Sequence, residues 1–342
     1  MKKIFLLFSV ISACNVIAQV KDNVPFMEYT YQNGSCNGFK YGTGSLIFIP
    51  DNAFCMMDGS ACKGTIKVKY REYHSQIDML VAKLNMFLDK NGKRSMLESA
   101  GMFEIAAECN GKPMQLCDGK SIQVRMNCRR NLPDLNAYIY DRKKNLWTEA
   151  DTKVYDFSYQ RDNNNRNNSA LWGSPATSGI SGDSVMESGV DPEGMEVVRV
   201  VTTAVLQLPE GFFKGMNIKS LGIYNYDRVI KEENAIPMIP EFVLSTGEKL
   251  NQVVYVAYES TNSLIYYSPD DFAERFVLLN LKGIRMFTMF KDGSVACINQ
   301  DVIDKMNLEN LRGKKFTFTL EKQPKKPVSK EELAKATKLK QQ

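Results

Sequence analysis

Along residues 64–73 the chain reads GTIKVKYREY, with Ile66, Val68 and Tyr70 alternating with Lys67, Lys69 and Arg71. A two-residue period of this kind predicts a strand with one buried and one wet face. Just upstream, Leu46, Ile47, Phe48 and Ile49 run apolar and stop at Pro50. Proline has no N–H to continue a ladder, so the strand must end there. The segment MLVAKLNMFLD reads as a further strand, followed by a turn at Asn91-Gly92. Segments 102–109 and 121–128 predict two more, with Asn110-Gly111 as a hairpin signal between them. NAYIYDRKKNLWTEA has the shape of strand, charged turn and strand, and KVYDFSYQ closes the series. Many short strands separated by turn signals predict a β-sandwich over 24–160.

Residues 161–194 are dominated by Asn, Ser and Gly and predict a flexible tether. Strand-like runs resume at 196–208 and continue through 220–229, 241–250, 252–260 and 263–268. Ser268, Pro269, Asp270 and Asp271, followed by Phe272, Phe276 and Leu279, predict a capped helix. A hairpin around Asp292-Gly293, a short helix at DVIDKM and a last strand at 314–320 complete a second domain over 195–320. In the tail, 321–342, Ser329 and Glu332 fit a capping box on a short lysine-rich helix, and the segment is expected to leave the fold. The fold class is therefore mainly all-β: two β-sandwich-like domains, with one or two short helices in the second.

Composition changes this picture little. The chain has 342 residues, 44% of them hydrophobic, which suits two globular domains. The net charge of +5 is misleading, because two lysines lie at the N-terminus and the tail carries seven lysines against three glutamates. The body between them is close to neutral, so no basic face suited to nucleic acid is expected.

The N-terminus matters more. Lys2 and Lys3, the apolar run Ile4–Val10 and the small residues after it form a secretory leader over 1–19, cleaved near Ala18. Ile11-Ser12-Ala13-Cys14 also matches a bacterial lipobox, which makes Cys14 a lipidation candidate. The apolar run is too short to span a bilayer. Export makes the cysteines disulfide candidates. Cys55 and Cys62 flank one turn, Cys109 and Cys117 flank another, and Cys36 and Cys128 remain. Sequence leaves the connectivity open. Cys297 is left over and reads as a buried strand residue.

Candidate chemistry is sparse. His74 is the single histidine, which excludes sites with two or more histidine ligands. The cysteine spacings do not suit structural zinc, and no phosphate-cradling glycine motif occurs. No cofactor is expected. A glycan hydrolase working through two carboxylates alone stays open as an alternative.

The stretch GTGSLIFIPDNAF followed by GTIKVKYREY resembles the ZU5-type β-sandwich, at Gly44, Ile49, Pro50, Ala53, Phe54, Gly64, Ile66, Val68 and Tyr70. With LESAGMFEI and GIYNYDR included, the chain is similar to exported envelope proteins of Bacteroidetes. The resemblance implies Ala53 and Phe54 turning back to plug the end of the sandwich. It also implies an alternative activity, self-cleavage at Phe157-Ser158 assisted by His74. The leading expectation is a non-enzymatic envelope protein, an accessory of the outer membrane or of secretion, whose β domains bind a protein partner or surface polymer.

Overall fold

The computed structural model describes residues 24–31, 37–90, 93–157, 185–190, 196–201 and 212–340. The leader, with Cys14, and Cys36 and Ser158 lie outside these residues, as does most of the 161–194 segment. The fold is mostly β and divides into two compact units.

The first unit, 24–74 with 87–229, is a sandwich of two sheets. The long strand Lys93–Cys109 is the hub of the larger sheet, pairing antiparallel with Ile66–Tyr73 and with Gly222–Val229. Met27–Tyr31 adds to Ile66–Tyr73, and the hairpin Asn136–Asp141/Leu146–Glu149 adds beyond Gly222–Val229. The second sheet runs Tyr155–Phe157, Phe212–Ile218, Ile122–Cys128, Leu46–Ile49 and Asn37–Lys40. Ile47, Ile49, Val124, Met126, Met216 and Ile218 from this sheet meet Ile66, Val68, Tyr70, Phe103 and Tyr226 from the other in one core. Tyr226 ties the layers by donating from its hydroxyl to the Val124 carbonyl across 3.0 Å.

The Ile-Pro stop does what its residues suggest. Ile49, Ala53 and Phe54 are fully buried. The Tyr31 hydroxyl donates to the Pro50 carbonyl at 2.8 Å and accepts from the Ala53 amide at 3.4 Å. The Tyr31 ring meets Phe54 edge-on, with centroids 5.1 Å apart. The chain thus reverses around a hydroxyl that satisfies the Pro50 carbonyl and the Ala53 amide. At Asn110-Gly111 both residues take positive φ, 49° and 77°, as a two-residue hairpin requires.

The second unit comprises 75–86 and 230–340 of the described chain. Its six-stranded sheet runs Ile239–Leu244, Lys315–Lys322, Val295–Ile298, Ile284–Met289, Val254–Tyr258 and Ser263–Tyr267. Phe242, Phe272, Phe276 and Phe318 form its aromatic centre.

Several sequence expectations need correction. The expected division at 160 and 195 is not the one the contacts draw. Phe212–Ile218 and Gly222–Val229 belong to the sandwich, because Met216, Ile218, Tyr224 and Tyr226 fill its core. Within the expected tether, Val185–Val190 pairs with Glu196–Val201 as a separate hairpin. In the strand expected over MLVAKLNMFLD, the first residues belong to a helix, Gln76–Ala82, and only Phe87–Lys90 is a strand. Ser75 caps it, accepting from the Asp78 amide while Asp78 reaches back to the Ser75 amide, and Lys83 ends it in the left-handed region.

The cap at Ser268 is present, but it starts a single 3₁₀ turn, Pro269–Asp271. Val277–Leu279, expected in that helix, instead pairs with Ala235–Pro237. Finally, the tail is part of the fold. The last strand extends to Lys322, and helix Lys330–Thr337 buries Leu333, Ala334 and Thr337. Lys330 forms an ion pair with Asp78.

The disulfides use four of the six expected cysteines in nested pairing between the two turns, Cys55–Cys117 and Cys62–Cys109. The backbone explains the choice. Phe54–Met56 pairs with Lys112–Leu116, which places Cys55 opposite Gln115 and next to Cys117. Ile66 sits opposite Cys109, so the preceding loop brings Cys62 to that sulfur. Cys128 is a free buried thiol, as is Cys297.

Candidate functional site

The strand Ile66–Tyr73 carries its inward parity past Tyr70 to Glu72, so the alternation that buries Ile66, Val68 and Tyr70 also buries a carboxylate. Its side chain is completely covered. Glu72 Oε1 accepts from the Tyr70 hydroxyl at 2.9 Å. Its Oε2 accepts from Thr43 Oγ1 and from His74 Nε2, both at 2.6 Å. Thr43 and Ser45 share a hydroxyl contact at 3.1 Å, and Ser45 Oγ accepts from the Asn127 amide at 2.8 Å. Asn127 Nδ2 returns to the Thr43 carbonyl at 2.9 Å. The network therefore welds the 41–45 turn to strands of both sheets. Burial, and then the Glu72 charge, push the Tyr70 phenol well above its usual range.

This arrangement is suited to holding rather than reacting. A carboxylate offers about four lone-pair sites, and three charge-assisted donors occupy Glu72. His74 Nε2 is engaged by the same carboxylate, so the single histidine is a buried member of this network.

A second polar cluster lies where Gly222–Val229 bulges against the Lys93–Cys109 strand, between Tyr226 and Asp227. Glu98 accepts from Arg130 Nη2 and from Arg228 Nε, each at 2.7 Å. Beside it Asp227 is fully buried, with Asn225 donating from Nδ2 to its Oδ2. Asp227 Oδ1 has no hydrogen-bond partner among the described residues. Burial pushes the Asp227 carboxyl well above the carboxylate range. Bonds from Ser99 and Asn225 pull the other way, and the Glu98 charge adds to the rise. Burial thus favours the neutral form of Asp227.

For self-cleavage, Phe157 ends an edge strand of the smaller sheet, with Asp156 before it paired to Lys214. His74 directly follows the strand Ile66–Tyr73 of the larger sheet and is bonded to Glu72. Ser158 lies outside the described residues. No group of three or more metal-ligating side chains occurs among the described residues, and no described helix is long and apolar enough to cross a membrane.

Sequence reading singled out His74 and missed its partners. The signal was there for Glu72, which shares parity with Ile66, Val68 and Tyr70. Thr43 and Asn127 gave none, because only sheet pairing brings them together. Comparison with family models, curated proteins and solved structures gives no match for this chain.

Proposed function

We propose that this chain is a non-enzymatic protein of the cell envelope that presents its β surfaces to a protein partner or surface polymer. The observation that carries the reading is the pair of nested disulfides, which tie the 54–64 and 109–117 segments to one another. Such bonds persist in oxidising compartments and are reduced in the cytosol. They agree with the leader-like N-terminus and with the resemblance to exported ZU5-like proteins of Bacteroidetes. The three donors on Glu72 support a structural role for it, since its oxygens already hold the fold together.

Fractionation of cells producing the native chain, with thiols blocked by maleimide at lysis, tests the compartment. The protein is expected in the envelope fraction, with Cys55, Cys62, Cys109 and Cys117 unlabelled. Crosslinking in intact cells is then expected to give a discrete adduct with an envelope component. A cytosolic, fully labelled protein would overturn the reading.

A further inference from the structure

Both faces of the smaller sheet are largely buried. Ile47, Ile49, Val124, Met126, Met216 and Ile218 face inward and belong to the sandwich core. Strand alternation turns Leu46, Phe48, Arg125, Phe213 and Asn217 to the opposite side. An outer face left in water reads as open and polar. Here Leu46 and Phe48 are each 4% exposed, Phe213 is 9% exposed and Asn217 is 3% exposed. Leu46, Phe48 and Phe213 are not members of the sandwich core. The Arg125 guanidinium lies over the Phe48 ring, 4.9 Å from its centroid, and Arg125 donates from Nε to Gln123 Oε1 at 2.9 Å. Burial pushes the Arg125 pKa down to about 10. Three apolar side chains and a desolvated guanidinium on an outward face call for a further layer of chain over them.

The protein has the length to supply that layer. Tyr155–Phe157 and Phe212–Ile218 are antiparallel neighbours, with Phe157 opposite Phe213. About two to five residues join such a pair in an ordinary hairpin, yet more than fifty, 158–211, lie between them. The excursion therefore leaves and re-enters at one point of this sheet, beside the outward face. It carries the hairpin Val185–Val190/Glu196–Val201, whose second strand has the sequence EVVRVV. A two-stranded hairpin is marginally stable by itself in water and needs an apolar surface to lie on. Leu46, Phe48 and Phe213 offer that surface.

We propose that residues 158–211 fold back as an outer layer on the smaller sheet, with the 185–201 hairpin seated over Leu46, Phe48 and Phe213. This face is then an internal interface, and a partner of the protein contacts other surfaces.

Gln123 lies between Phe48 and Asn217 in the sheet and is half-buried. The test uses the full chain with the photoreactive residue p-benzoylphenylalanine in place of Gln123. Irradiation in dilute solution is expected to give a monomer-sized product in which peptide mapping joins position 123 to residues within 158–211. Adducts confined to the rest of the sandwich would overturn the proposal. So would a dimer-sized product from a second copy on this face, or no adduct in a chain that melts like the parent. In a second chain, a Gly-Asn-Gly-Gly loop replaces 158–211 and keeps every strand of both sheets. It is expected to enhance the fluorescence of the apolar dye ANS several-fold over the parent, because the face is uncovered. Parent-level dye fluorescence from a shortened chain that melts cooperatively would also overturn the proposal.

Discussion

Asp227 and Glu72 are two buried carboxyls in one sandwich with different sets of partners. Glu72 receives three donors, whereas Asp227 receives bonds on one side and has Oδ1 unpartnered among the described residues. Desolvation therefore dominates at Asp227 and raises its pKa. A carboxyl raised in the folded state contributes stability that is complete below its unfolded value of about 3.9 and is lost as pH rises through the folded value. Asp227→Asn, which cannot ionise, is expected to be more stable than the parent at pH 8. The difference should shrink toward pH 4, as read from urea midpoints across that range. Parallel pH profiles for the two proteins would contradict the assignment. Tyr31→Phe removes the hydroxyl shared by Pro50 and Ala53 and is expected to cost about 1–3 kcal/mol by the same measurement, since it leaves buried backbone groups unpaired. The burial of Ile49, Ala53 and Phe54 could be read from the proline stop and its neighbours. The hydroxyl that completes the reversal could not, because Tyr31 lies 19 residues away in sequence from Pro50.

At the scale of elements, strands were readable where one face is wet and the other dry, as in Ile66–Val68–Tyr70. The reading failed where burial is complete on all sides. Every residue of helix Gln76–Ala82 is buried, so no polar face marked its period, and only the Ser75/Asp78 cap distinguished it from a strand. The tail failed for the opposite reason. Its seven lysines suggested a solvated end, yet Leu333, Ala334 and Leu339 are buried. The Cys297 thiol lies under it, donating to the Ala336 carbonyl at 3.1 Å, and burial pushes that thiol up to about 12. Truncation after Lys322 is expected to expose Cys297, so that a maleimide reagent labels it within minutes in native buffer while the full chain resists. Equal labelling rates would show that the helix does not cover the sulfur.

For the whole molecule, the chain passes between its two compact units after residues 74, 86 and 229. A tether-and-two-domains layout read from the Asn/Ser/Gly segment misses this, because the segment interrupts the sandwich without ending it. Strands Ile122–Cys128 and Asn136–Asp141 both find partners beyond residue 211. A fragment of residues 24–160 is therefore expected to lack a cooperative thermal transition and dispersed NMR amides, whereas 24–229 retains every strand of both sheets. A stably folded 24–160 fragment would contradict the topology.

The disulfide pairing carries information at this same scale. Loops of 62 and 47 residues contribute about 4 kcal/mol for either bond alone in the chain-entropy model, against about 2–3 kcal/mol for the short loops within each turn. Non-reducing peptide mapping of the protein taken from its native cell, with thiols blocked at lysis, is the most direct test. Linked peptides joining Cys55 to Cys117 and Cys62 to Cys109 are predicted. Four free thiols, or bonds within each turn instead of between them, would contradict the account.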